Sequence, residues 1–185
     1  MRDKMSTAKR ITGTLAIPVI TAIILEVICF GNGQHTIEHV CRLKDIDPKK
    51  HPLSIVCADL SQASEYARID NRAFAEVRAN LPGKFTYILP TTPNLPKVFK
   101  GRREVGLRIP DNNIARELAR QLGNPLMTST VTWPEADDAD TLLPESIALA
   151  VGHEVDYVVD AGESDGSLST VIDMTDSSNP VVVRQ

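Results

Sequence analysis

Three lysines and two prolines share ten residues, Lys44-Asp-Ile-Asp-Pro-Lys-Lys-His-Pro-Leu53. Each proline fixes its own φ and pushes the residue before it toward an extended conformation, so the ammonium groups of Lys44, Lys49 and Lys50 ride on a stiffened loop. Phosphate is the natural guest of such a loop, and a solvated turn is the plain alternative. A second candidate is His35-Thr-Ile-Glu-His39, which matches the inverted zincin pattern H-x-x-E-H. On a helix it would set two imidazoles one turn apart. The same pattern turns Ile37 and Cys41 inward, and His39 lies about 200° from each on the 3.6-residue period, so the pair faces solvent. A catalytic zinc needs a walled cleft and a third ligand, and nothing downstream announces one, so no structural or catalytic metal is expected. The sequence carries no arrangement suggestive of a nucleophilic triad and no Walker or G-x-G-x-x-G glycine pattern.

The rest of the chain has to position these groups. Its 185 residues suit one domain, residues 1–185. A hydrophobic share of 42% beside 24% charged is that of a soluble globular protein, and 4% aromatic leaves little for base-stacking platforms. With a net charge of −4 there is no global basic field, so any RNA contact has to use a local patch. Cys29, Cys41 and Cys57 form an odd set without finger-like spacing, which reads as reduced thiols in a cytoplasmic setting. Residues 11–30 are nearly all apolar and follow Arg2, Lys4, Lys9 and Arg10, imitating a signal peptide or one membrane span. Pro18, Glu26 and the β-branched run of Ile17, Val19, Ile20, Thr21, Ile23, Ile24, Val27 and Ile28 favour two buried strands, with insertion as the rival.

In order, residues 3–12 read as a short first helix or a loose arm, and Gly31-Asn32-Gly33 as a turn. Ile37, Val40 and Cys41 then mark a helix that delivers Lys44 to the basic loop. A strand over 53–57 precedes a helix capped by Asp59 or Ser61 and running through Tyr66. Asp70 caps the next helix, with Phe74, Val77 and Leu81 inward and Pro82-Gly83 as its stop. Strands are expected over 84–89 and 105–109, joined by a Pro-rich connection at 90–96. Asp111 or Asn112 caps a helix with Ile114, Leu118 and Leu122 on one face, ended by Gly123. A strand over 125–131, an acidic irregular stretch at 133–141 and a helix from Pro144 to about Val151 follow. Three strands, 155–159, 169–174 and 180–183, close the chain. Alternation without an internal repeat gives an α/β or α+β class around one mixed sheet.

Three segments taken together, Glu104-Val-Gly-Leu-Arg-Ile-Pro110-Asp, Gly123-Asn-Pro-Leu-Met-Thr-Ser-Thr130 and Gly166-Ser-Leu-Ser-Thr-Val-Ile-Asp173 with a closing Arg184, resemble the YrdC/YciO family, most closely its YciO branch. The resemblance covers residues 13–185 and implies a single YrdC/RibB-like domain, a twisted mixed sheet flanked by helices with a central cleft. Family members with established activity are threonylcarbamoyl-AMP synthases, which make the intermediate for threonylcarbamoyladenosine in transfer RNA.

Within that family a Lys-x-Arg and a Ser-x-Asn hold ATP, and an Arg and a Ser in the later strands lie near the amino acid. Carried over residue by residue, the resemblance implies nucleotide binding by Lys44, Lys50, Thr130, Thr132 and Arg184, and amino-acid binding by Thr21, Arg108 and Ser169. Arg108 alternates out of an apolar strand between Leu107 and Ile109, which suits a bidentate grip on a carboxylate; an internal ion pair is the plain alternative. The chain departs from the family pattern where the Lys-x-Arg arginine is Ile46 and where the Ser-x-Asn is Thr130-Val-Thr132. It departs again where the family's Pro-Thr-Asp-Thr aligns with Ile20-Thr-Ala-Ile. Two functions therefore stand side by side. One is a synthase that takes threonine, bicarbonate and ATP with magnesium, with no nucleophilic residue required. The other is a catalytically impaired YciO-type paralogue binding nucleotide or double-stranded RNA or tRNA. Other tRNA-modification proteins are the implied partners, and no membrane.

Overall fold

The computed structural model describes residues 9–11, 41–42, 45, 54–95, 99, 101–129, 137, 140–154, 157–160 and 162–185. Eight strands lie among them: β1 Lys9–Ile11, β2 Ser54–Val56, β3 Phe85–Pro90, β4 Glu104–Arg108, β5 Leu126–Thr128, β6 Tyr157–Val159, β7 Thr170–Asp173 and β8 Val181–Arg184. Six of them form one mixed sheet in the order β5-β2-β4-β3-β7-β8, with β2–β4 and β3–β7 parallel and the other neighbours antiparallel. The α/β class holds. Of the three closing strands, β6 stands apart from this sheet and pairs in parallel with β1. Residues 9–11, expected in a helix or loose arm, are therefore extended, because a β-branched partner strand supplies the backbone bonds that a polar arm lacks by itself.

Four helices have legible starts and stops. Helix α1, Leu60–Tyr66, is capped by Asp59, whose carboxylate accepts from the Gln62 N–H at 2.9 Å. Helix α2, Asn71–Asn80, is capped by Asp70, which accepts from Arg72 and Ala73 N–H groups. Helix α3, Asn113–Leu122, starts at Asn112 and ends at Gly123 with φ 64°, a left-handed stop that only glycine adopts without cost. Helix α4, Pro144–Val151, opens on its proline.

One sheet face is apolar and covered by α1 and α2. Ile55, Tyr87, Leu107 and Met127 from the strands pack there with Ala63 and Tyr66 of α1 and Ala73 and Val77 of α2. On the opposite face α3 closes only one end, where Ala119 meets Val56, Ala58 and Leu126. Both helices bury alanines where larger residues were expected. Phe74 lies 42% exposed, and Ile114 and Leu122 are exposed too, because small Ala73 and Ala119 let the backbones approach the sheet and rotate the large side chains to the rim.

Candidate functional site

Beyond α3 this second face carries polar side chains. In-register neighbours across a sheet point the same way, so Ser54 on β2 shares a face with Gly106 on β4, and Val56 with Arg108. One step beyond the Tyr87–Leu107 pair, Thr86 of β3 stands across from Arg108; it also pairs with Val171, which pairs with Arg184. Ser169, two residues before Val171, joins the same face. Thus Arg108, Thr86 and Arg184, far apart in sequence, lie in one row over β4, β3 and β8, with Ser169 beside it just before β7.

The contacts fix this row tightly. Thr86 Oγ1 and Ser169 Oγ lie 2.8 Å apart and both residues are buried. Arg184 donates from Nη2 to the Ser169 carbonyl at 3.1 Å and to its hydroxyl at 3.3 Å, and from Nε to the same carbonyl at 3.4 Å. Burial first, and then the neighbouring Arg184 guanidinium, draw the Arg108 pKa down to about 10. It stays charged at neutral pH. Two cations held within Coulombic reach, with a hydroxyl beside them, are arranged to receive an anion.

The segment leading to Ser169 is anchored at several points. Ser164 N–H donates to the Leu142 carbonyl at 2.8 Å, and Ser164 Oγ accepts from the Gly166 N–H at 3.1 Å. Asp165 pairs with Lys84 and accepts from the Ser167 N–H and hydroxyl, which together hold its carboxyl down at about 2. Thr170 N–H then donates to the Lys84 carbonyl at 3.0 Å, so the loop is tied to the start of β3 and the Ser169 hydroxyl arrives within hydrogen-bond reach of Thr86. In the middle of the face, a Cβ on Gly106 would stand 2.6 Å from Ser54 Oγ and 3.3 Å from Thr86 Cγ2. A side chain at this position would crowd both Ser54 and Thr86.

Of the residues singled out from sequence, Arg108, Ser169 and Arg184 are brought together. Lys44, Lys50, Thr21, Thr130, Thr132, His35 and His39 lie outside the described residues, as do nearly all of the apolar block and the basic loop. A threonine within an alternating strand looks like any other solvent-facing residue, so Thr86 is not marked by its sequence; its hydroxyl contact with Ser169 marks it. Cys57 is fully buried, and burial first, then Asp59 and Glu65, push its thiol far above the ordinary range, which leaves it inert as a nucleophile. Among the described residues no His, Cys, Asp and Glu side chains group to hold a metal, and no helix is long and apolar enough to cross a membrane. A separate recess of about 430 Å³, lined by Arg68, Thr91, Thr92, Leu95 and Arg102, sits beyond the far end of β3. Thr91 lies five residues along from Thr86, roughly 17 Å at strand rise, so this recess is distinct from the polar row.

Comparison with known proteins meets this geometry from a second direction. A family model for the Sua5/YciO/YrdC domain, described as Telomere recombination, matches residues 12–185. Escherichia coli YciO, itself an uncharacterized protein, is 33% identical over 159 residues, covering 85% of this chain and 76% of its own. Its crystal structure superposes with a TM-score of 0.75 over the same shares. A putative threonylcarbamoyl-AMP synthase of Methanocaldococcus jannaschii is 33% identical over 134 residues, 72% of this chain and 62% of that one. The fold is also that of P. abyssi Sua5 complexed with L-threonine, at TM-score 0.70 and 24% identity, over 86% of this chain and 46% of the other. With a matched model spanning all but the first eleven residues and a YciO relative of the same fold, this chain belongs to the Sua5/YciO/YrdC family.

Proposed function

We propose that the polar face is the substrate cleft of a threonylcarbamoyl-AMP synthase-like enzyme, which joins threonine, bicarbonate and ATP and releases pyrophosphate. The observation that carries this reading is the convergence of Arg108, Ser169 and Arg184. The reaction must bring two anions together, an amino-acid carboxylate and a nucleotide phosphate. Cations on either side of one hydroxyl suit that task.

In this reading Thr21, Arg108 and Ser169 hold threonine, while Lys44, Lys50, Thr130, Thr132 and Arg184 hold the nucleotide. Threonine's amine adds to bicarbonate with loss of water to give a carbamate. A carbamate oxygen attacks the α-phosphorus, and the bond to the β-phosphate oxygen breaks to expel pyrophosphate. Magnesium enters with ATP as part of that substrate. The chain supplies positioning and charge neutralisation, and no side chain needs to form a covalent bond. The adenylate would pass to transfer RNA with the help of other tRNA-modification proteins in a cytoplasmic setting.

Pyrophosphate release from ATP, with and without threonine and bicarbonate, tests the reading. Release that requires both is the expected result. A second reading rests on Ile46 and on Ile20-Thr-Ala-Ile, which put aliphatic groups where the family pattern has an arginine and a polar segment. These favour a paralogue that binds nucleotide or RNA without turnover. It predicts ATP binding with no threonine-dependent pyrophosphate, and that outcome would overturn the synthase.

A further inference from the structure

Ser169 holds one proton and two lone pairs at its hydroxyl, and the groups around it determine where that proton points. Arg184 can only donate, so its Nη2 at 3.3 Å occupies one lone pair. The remaining lone pair and the proton are divided between Thr86 Oγ1, 2.8 Å away, and whatever enters the cleft. Both residues are buried, Ser169 at 4% exposure and Thr86 at 6%, so bulk water does not decide the direction. Two arrangements exist. If Thr86 donates, both Ser169 lone pairs are filled and the Ser169 proton is left for the ligand. If Ser169 donates to Thr86, only a lone pair faces the ligand, and Ser169 repels an anion.

The charges beside the pair choose between them. Arg184 bonds directly to Ser169, and Arg108 lies close enough to feel Arg184. A ligand atom drawn to two guanidiniums is anionic and accepts hydrogen bonds. We infer that Thr86 is a positioning residue that donates to Ser169 and thereby turns the Ser169 proton onto a bound anion, so that Ser169, like Arg108 and Arg184 beside it, only donates toward the cleft. This rests on the same site as the synthase reading and adds to it the polarity that selects a carboxylate over an amine at Ser169. Thr86 itself touches no substrate; it acts through Ser169.

The sign of one substitution decides the matter. Thr86→Val keeps the shape and removes the hydroxyl. Apparent dissociation constants for inorganic sulfate and for L-threonine are read from amide NMR shifts in the wild type, Thr86→Val and Thr86→Ser. The expected result is binding of both ligands weakened about five- to tenfold in Thr86→Val, with Thr86→Ser within about twofold of wild type. Were Thr86 the acceptor, its removal would free the Ser169 proton and tighten sulfate binding. Tighter or unchanged binding in Thr86→Val therefore overturns the inference, and so does loss in Thr86→Ser equal to that in Thr86→Val. Should the valine variant fail to fold, Thr86→Ala takes its place with the same expected sign. A wild type that binds sulfate in a Thr86-dependent way but ignores threonine would sink the synthase reading and leave this inference standing. A wild type that binds neither ends both.

Discussion

Arg108→Ala is expected to abolish threonine binding, by a hundredfold or more, while nucleotide affinity changes little and the fold stays intact. The side chain stands on β4, in the middle of a six-stranded sheet, so its planar fork is held on a rigid element at the polar face. Burial and the nearby Arg184 draw its pKa down, which means the folded protein holds this charge at a cost that a bound carboxylate relieves. Removing a charged partner from such a contact is worth roughly 3 kcal/mol, or about two orders of magnitude in affinity. Calorimetric titration of L-threonine and of ATP into both proteins checks the split. Equal threonine affinity in the variant would place the carboxylate elsewhere.

The residue before it has the opposite fate. Leu107 is fully buried on the other face of the same strand, packed in the cluster that joins the sheet to α1 and α2. Leu107→Ala should destabilise the protein by about 2–5 kcal/mol, from lost transfer energy plus the cavity left behind. Denaturant unfolding followed by circular dichroism measures this directly. A loss below about 1 kcal/mol would mean that the central strands are not packed as described. The pair of neighbours thus separates function from fold along one strand, because successive strand residues look to opposite faces.

What could be read from the sequence followed from local chemistry. Asp59, Asp70 and Asn112 sit where a side-chain oxygen can take the first helical N–H groups, Gly123 where a left-handed stop is needed, and Pro144 where a missing N–H does no harm. β2, β3, β4, β7 and β8 lie within a residue of their expected ranges because their apolar alternation fixes them, whereas β5 spans only Leu126–Thr128 of the expected 125–131. Orientation was less legible. Periodicity marks a stripe on a helix but does not say how closely that helix approaches its sheet, so Ala73 and Ala119 took the inner positions assigned to Phe74 and to Ile114 and Leu122. Pairing was least legible. That β6 meets β1, and that Thr86 meets Ser169 across 83 residues of chain, depends on the register of strands that the local pattern leaves open. Arg108, Ser169 and Arg184 were found through segments matched together, whereas Thr86 needed the sheet.

In the proposed enzyme Arg108 and Arg184 line one cleft, in which the amino-acid carboxylate and the nucleotide phosphate meet. Guanidinium Nε–H signals in a two-dimensional NMR spectrum, assigned by substitution of each arginine, report on this without turnover. On titration with L-threonine and then ATP, the Arg108 and Arg184 signals should shift and saturate while those of Arg68 and Arg102, at the separate recess, stay in place. Shifts confined to Arg68 and Arg102, or Arg108 and Arg184 signals that never move, would place the anion site away from this row.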